Sequence, residues 1–285
     1  MKQYFTIPIT DIIRNRHSVR TYASEVLDKE LIIKLKEYAN KIKGPFASEL
    51  RLELVDSLDF SEKTGNKIGT YGVIKGAKTY IAGVTDKKEY NMEQLGYCLE
   101  KLILYAASLG LGTCWMAGTF KRSQFAELVG LREDEFIPAV TPIGYHADKR
   151  AFVDSMMRRM AGSDNRKPWS ELFFHDSFDT SLNSEAAGNY KVVLEMLRLA
   201  PSASNKQPWR VLKQGSEYHF YLKQAKGYGS ALGFNIQKID MGIAMCHFEM
   251  TAFEAELKGN WMVKTQSPLL GQEQNLEYIV SWIMK

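Results

Sequence analysis

Residues 96–116 read GYCLEKLILYAASLGLGTCWM, and residues 242–262 read GIAMCHFEMTAFEAELKGNWM. In each stretch a glycine on a long amphipathic helix precedes a Trp-Met pair by nineteen residues, Gly96 before Trp115 and Gly242 before Trp261. Self-similarity at a fixed spacing signals a repeated structural unit and bears on the whole fold. An internal duplication explains it best.

The elements on either side follow the same plan. In the first half, periodicity and turn signals predict helices over 10–16 and 29–42, strands over 50–55 and 79–85, a long helix over 92–109, a short helix over 121–129 and a strand over 139–145. The second half repeats this in shortened form: a helix over 190–199, strands over 209–212 and 218–222, a long helix over 237–257, and strands over 261–264 and 278–284. The pattern is mixed α+β, with one half over 1–150 and the other over 185–285. Between them, 151–184 is rich in Gly, Ser, Asn and Pro around 162–169, which marks a connection. It is too long for a tight loop and is expected to wrap one half around the other. Phe173, Phe174 and the aromatics of 246–253 are expected to pack the interface between halves.

Bulk properties narrow the function. Hydrophobic residues make up 45% and charged residues 25% of the 285, the balance of an ordinary globular protein. A net charge of +4, from 37 basic and 33 acidic residues spread along the chain, gives no dense basic stripe for nucleic acid. The first eight residues lack a signal-peptide core, and the most apolar helix, over 95–117, is interrupted by Glu100 and Lys101, so neither export nor membrane insertion is expected. Cys98, Cys114 and Cys246 are odd in number and far apart, and read as reduced core thiols of a cytoplasmic protein.

Three segments could carry chemistry. In Arg16-His17-Ser18-Val19-Arg20, two guanidiniums and a hydroxyl can converge on one anion, since Arg donates in a fork that matches phosphate oxygens. A solvated helix end with ordinary ion pairs would use the same letters. The stretch Ala200-Pro201-Ser202-Ala203-Ser204-Asn205-Lys206-Gln207-Pro208-Trp209-Arg210 supplies small residues, hydroxyls and an amide that both donates and accepts, which suits a flat heterocycle. It also reads as a helix end broken by Pro201 with Pro208 before an edge strand. Finally, Ala117 and Gly118, after Gly110-Leu111-Gly112-Thr113-Cys114-Trp115-Met116, would let backbone N–H groups approach a ligand closely. The alternative there is a helix cap at Gly110 and a buried Trp.

Together these segments resemble the nitroreductase superfamily of FMN enzymes, in which an Arg-x-Ser-x-Arg opening, an Ala-Pro-Ser-x-x-Asn-x-Gln-Pro-Trp-Arg stretch and a Gly-Leu-Gly-Thr-Cys-Trp stretch recur. All three are present, and the likeness covers nearly the whole chain. The family usually carries them in one subunit and dimerises, whereas here they are divided between the halves. Aligning Pro45 with Pro201 sets Glu49 where Asn205 stands, and the region before Tyr190 holds no Arg-x-Ser-x-Arg. Complementary losses are what a fused pseudo-dimer with one composite site would show. The sequence thus resembles the single-chain, internally duplicated branch known as "putative TM nitroreductases", a nitroreductase-like fold of two tandem half-domains forming an intramolecular pseudo-dimer.

The resemblance implies that Arg16, Ser18 and Arg20 hold the FMN phosphate, and that Pro201, Ser202, Ser204 and Asn205 line the flavin and ribityl chain. It sets the backbone of Ala117 and Gly118 at N5, and brings Arg166 or Lys167 to the phosphate by a looser match. It implies an oxidoreductase in which NADH or NADPH reduces FMN and a nitroaromatic, quinone or similar small acceptor then takes the electrons, with no catalytic side chain demanded. A flavin-sequestering protein and a flavin-fragmenting enzyme are the alternatives. No Walker loop, Gly-x-Gly-x-x-Gly, Cys-x-x-Cys or His-Glu-x-x-His is present. His247, alone on an apolar helix, reads as a packed or satisfied residue. A monomer is expected, since the pseudo-dimer interface is already internal.

Overall fold

Two long helices, one from each half, lie against each other and set the frame. A computed structural model describes residues 4–65, 67–147, 165–225, 232–268 and 275–285. The first half comprises α1 (Ile9–Asn15), α2 (Lys29–Lys41), β1 (Leu50–Asp56), α3 (Ser57–Thr64), β2 (Thr79–Thr85), α4 (Asn91–Ser108), β3 (Gly112–Thr113), α5 (Arg122–Leu128) and β4 (Phe136–Gly144). In the second are α6 (Trp169–Leu172), β5 (Phe173–His175), β6 (Ser177–Ser181), α7 (Lys191–Arg198), β7 (Trp209–Gln214), β8 (Glu217–Lys223), α8 (Ile236–Glu254), β9 (Gly259–Met262) and β10 (Leu276–Met284).

The strands repeat as the helices do. One sheet runs β1-β2-β4-β3, and the other contains the same order as β7-β8-β10-β9, all antiparallel. The second sheet is extended at the β7 edge by β5, which pairs parallel to β7, and then by β6. These two strands lie in the stretch 151–184, read from sequence as a connection; its described part is thus built into the second sheet, while residues 151–164 lie outside the described residues. Such short strands carry no readable alternation, and α3 likewise escaped the sequence reading.

Burial on α4 and α8 is nearly complete, since each is covered by its own sheet and by the other helix. Their crossing explains the repeated glycine. A Cβ on Gly96 would fall 2.1 Å from the Ile239 carbonyl oxygen, and one on Gly242 would fall 2.0 Å from that of Glu93. Ile239 and Glu93 each stand three residues before the glycine of their own copy. The contact is therefore self-complementary, residue i on j and j on i, as in a twofold dimer interface, here within one chain.

The aromatic cluster differs from the sequence reading. Phe248 packs among Tyr190, Tyr218, Phe220, Trp261 and Trp282, all within the second half, and Phe173 packs on Trp169. These rings fill the core beneath the second sheet and not the seam between halves, because Gly242 packs against α4 while Phe248 packs on the rings of β8, β9 and β10.

Two devices place the segment after α1. The Glu254 carboxylate, in the last turn of α8, accepts from the backbone N–H of Ile9 at 2.5 Å and of Thr10 at 3.3 Å, a negative charge at the positive end of α1. Past α1 the chain runs extended: Val19 N–H donates to Thr113 O at 2.8 Å, Lys75 N–H to Arg20 O at 2.8 Å and Tyr22 N–H to Lys75 O at 2.9 Å. Gly76 permits this pairing, with φ of +80° and the Tyr22 carbonyl 2.4 Å from where a Cβ would lie.

Candidate functional site

Between the halves lies a cavity of about 550 Å³, the scale of a small-molecule or cofactor site. The first half contributes Arg14 and Asn15 at the end of α1, Arg16, His17, Ser18 and Arg20 beyond it, and Trp115, Met116 and Ala117 beyond β3. From the second come Pro201, Ser202, Ala203, Ser204 and Asn205 of the loop after α7, and Ile236, Ile239, Asp240 and Ile243 of α8, with Arg166 from the stretch before α6. Nine of the residues singled out from sequence thus share one cavity: Arg16, Ser18, Arg20, Ala117, Arg166, Pro201, Ser202, Ser204 and Asn205.

Gly118 and Lys167 fall outside its lining. Gly118 is exposed one residue past the wall, with only Leu232 near the place of a Cβ, at 3.7 Å. Lys167 is turned away by partners of its own: its ammonium lies 3.0 Å from Glu171, and its N–H donates to Gln207 Oε1 at 2.8 Å. Lys75 is exposed and enters the fold through its backbone.

The loop after α7 is shaped by conformations that its sequence does not announce. Ser204, Asn205 and Gln207 have φ of 46°, 53° and 48°, in the left-handed region, where non-glycine residues are uncommon. Hydrogen bonds hold it there: Gln207 N–H donates to Ser202 Oγ at 2.9 Å, and Asn205 N–H to Ser202 O at 2.9 Å. The amide of Asn205 accepts from Arg166 Nη1 at 2.5 Å and donates to Asn165 O at 2.7 Å. Backbone strain of this kind clusters at ligand clamps.

Three buried polar side chains on the long helices were not singled out as site residues. Glu100, wholly buried on α4, accepts from Trp115 Nε1 at 2.7 Å and lies 2.9 Å from His247 Nε2 of α8. It also stands 3.9 Å from Arg16 Nε, so it offsets the charge of that guanidinium without accepting a hydrogen bond from it. His247 Nδ1 donates to Met196 O at 3.0 Å, so both ring nitrogens are engaged in structure. Asp240 is 2% exposed; its Oδ1 accepts from Ala203 N–H at 3.0 Å, and its Oδ2 has no partner. Burial pushes its carboxyl well above the usual carboxylate range, against the Ala203 hydrogen bond. Acidic residues set into the long apolar helices are the signal that could have drawn attention to both, though not to what they do.

Arg16 is the least satisfied group. Its side chain is only 7% exposed, and neither Nε nor Nη1 has a hydrogen-bond partner.

The sequence matches the family described as "Putative TM nitroreductase" over residues 8–252. The chain belongs to this family. Among solved structures it is similar to that of a "putative nitroreductase" from Thermotoga maritima, with a TM-score of 0.61 and 19% identity over 98% of this chain and 94% of that one. It also matches a nitroreductase family protein from Clostridium difficile 630, at TM-score 0.43 and 18% identity over 58% of this chain and 96% of the other. An FMN-dependent nitroreductase from Clostridium difficile R20291 matches at TM-score 0.39 and 23% identity, over 51% of this chain and 92% of the other. No curated protein matches.

Among the described residues no group of His, Cys, Asp or Glu could hold a metal ion, and no helix is long and apolar enough to cross a membrane. Cys98, Cys114 and Cys246 are buried and form no disulfide with one another. Burial pushes the Cys98 thiol up to about 12 and that of Cys246 well above its ordinary value, so both stay protonated and poorly nucleophilic.

Proposed function

We propose that this chain is an NAD(P)H-dependent FMN oxidoreductase that reduces nitroaromatics, quinones or related small acceptors, with a single FMN in the cavity between its halves. The observation that carries the reading is the Arg16 guanidinium, buried in the cavity wall with two nitrogens that make no hydrogen bond. Burying a cation whose nitrogens make no hydrogen bond is costly even with Glu100 at 3.9 Å, and a phosphate presenting several acceptor oxygens is the group that relieves it. Arg20 and Ser18 line the same wall and would complete the phosphate set.

The other walls fit the rest of the cofactor. Pro201, Ser202 and Ser204 offer short side chains and hydroxyls for the ring and ribityl chain, and Arg166 holds Asn205 in register beside them. Backbone at Ala117 would meet the ring edge, while Gly118 and Lys167 are set aside as cofactor contacts. Bound there, FMN would supply the hydride chemistry that links NADH or NADPH to the acceptor. The chain's own part is to fix the cofactor and to hold positive charge where the reduced ring becomes anionic.

The test is direct. Protein loaded with FMN and freed of excess should retain one flavin per chain and bleach under NADH or NADPH in the absence of oxygen. Bound flavin that stays oxidised would replace this reading with that of a flavin carrier. Retention of two flavins would mean that both halves build a site.

A paired substitution checks that the site is single. Asn205→Ala should weaken FMN binding by roughly 1–2 kcal/mol through loss of the Arg166 and Asn165 contacts. Glu49→Ala, at the matching place in the first half, should leave it unchanged. Its carboxylate is exposed and held by Lys88. Equal effects in a flavin titration would mean that the first half retains a working site. We further propose that the chain is monomeric, which sedimentation of the loaded protein would test.

A further inference from the structure

Asp240 stands where α8 meets the cavity, and the equivalent place in the first half shows what is unusual about it. Counting from the repeated glycines, Asp240 lies two residues before Gly242 and Gln94 two before Gly96. Both hold the loop that begins at the matched proline. Gln94 Oε1 accepts from Phe46 N–H at 3.0 Å, as Asp240 Oδ1 accepts from Ala203 N–H at 3.0 Å. Gln94 then uses its other end internally, with Nε2 donating to Ser48 O at 3.5 Å. Asp240 does not: Oδ2 is buried, unpartnered and part of a residue lining the cavity.

Around Asp240 on its own helix the wall is apolar, formed by Ile236, Ile239 and Ile243. The charged and titratable groups of the surrounding elements are Arg14 on α1, Arg16, His17 and Arg20 beyond it, Arg166 before α6, Glu93 and Glu100 on the facing α4, and Lys238 and His247 on α8 itself. No hydrogen bond from any of these reaches Oδ2. Gln94 satisfies the same loop with a neutral amide, whose geometry a protonated carboxyl reproduces. In the neutral form Asp240 has one O–H to give, and it belongs to a residue of the cavity wall.

Resting on the flavin reading above, we infer that Asp240 is a binding residue held as the neutral acid, donating its Oδ2 proton to an uncharged acceptor atom of the flavin and not to the phosphate. An ionised carboxylate there would be buried among isoleucines with no donor on Oδ2, and against the acceptor lone pairs of the ring or ribityl chain it would repel. Flavin affinity therefore falls as pH rises through the titration of this acid, whose proton is lost.

Riboflavin is the decisive probe, because it lacks the phosphate, whose own second ionisation near pH 6 would confuse an FMN profile. Riboflavin and FMN are titrated by fluorescence quenching from about pH 6 to about pH 9, against wild-type protein and Asp240→Asn. The substitution keeps Oδ1 for Ala203, supplies an amide donor in place of Oδ2–H and leaves every other titratable group in place. Wild-type affinity for riboflavin should fall above the titration by up to about tenfold per pH unit, and Asp240→Asn should flatten the profile while binding well at the acid end. A residue that merely holds the loop would give the same profile in both proteins. A flat wild-type profile, or a slope that survives in Asp240→Asn, overturns the assignment while leaving the flavin site intact. Failure of FMN itself to bind at any pH overturns the flavin reading and this inference with it.

The unliganded protein gives a second readout. An acid raised in the folded state makes stability fall as pH climbs from the unfolded carboxyl value, about 3.9, through the folded one. Asp240→Asn should therefore gain stability relative to wild type at the alkaline end of a denaturation series and not at the acid end. A constant difference across the series contradicts a buried, protonated Asp240.

Discussion

Arg16→Ala is expected to lower FMN affinity by roughly 1.5–3 kcal/mol, about tenfold to more than a hundredfold, while leaving riboflavin affinity almost unchanged. Charge-assisted hydrogen bonds to phosphate are the strong ones, and this guanidinium has two nitrogens without competing partners to give. Arg16→Lys should recover only part of the loss, because an ammonium is a point charge and cannot reproduce the fork. The fold should survive the change. Glu100 keeps Trp115 and His247 once Arg16 is gone, and the α1 terminus keeps Glu254. Melting of the unliganded protein should show only a small drop, since nothing hydrogen-bonds the lost cation and Glu100, 3.9 Å from it, keeps Trp115 and His247. Equal losses for FMN and riboflavin would assign Arg16 to the ring or to the fold, and the phosphate would then belong to Arg14, Arg20 or Arg166.

Why Arg16 could be read from sequence, and Asp240 could not, is a matter of which physics leaves a local trace. Arg-x-Ser-x-Arg and Ala-Pro-Ser-x-x-Asn are short patterns whose chemistry is visible residue by residue, and the structure brings them to opposite walls of one cavity. The Gly96 and Gly242 spacing was legible because close helix approach admits only glycine and therefore repeats in both copies. Long elements followed too: strand 79–85 matches β2, and helix 92–109 is displaced by one residue from α4. What escaped depends on tertiary pairing. Three-residue β5 exists only because β7 offers it an edge, and the left-handed turns at Ser204, Asn205 and Gln207 are imposed by side-chain and backbone contacts from residues 165–167 and Ser202. Asp240 and Glu100 occupy helix positions where periodicity predicts a core. Their roles follow from which neighbours fail to satisfy them, and sequence does not list neighbours.

The second large effect concerns the seam itself. Gly242→Ala and Gly96→Ala should each destabilise the protein by about 1–3 kcal/mol or more, read as a fall of roughly 2–4 °C in Tm for each kcal/mol. The added methyl would meet a backbone carbonyl at 2.0 or 2.1 Å, and a carbonyl on a buried helix cannot rotate aside as a side chain can. The helices must separate. Because the two contacts are related by the internal twofold, the first methyl opens the crossing for the second, so the double variant should lose less than the sum of the singles. Gly118→Ala is the control for melting, since its Cβ would meet only Leu232 at an ordinary 3.7 Å. The seam and the site are one structure: Ile239, Asp240 and Ile243 line the cavity from the helix that Gly242 holds against α4. Separation of α4 from α8 should thus loosen FMN as well as the fold, although neither glycine touches the cavity. A variant that melts early yet binds FMN as wild type would show that the halves move apart without moving the site, and the composite pocket would then have to rest on the loop after α7 and the Arg16 segment alone.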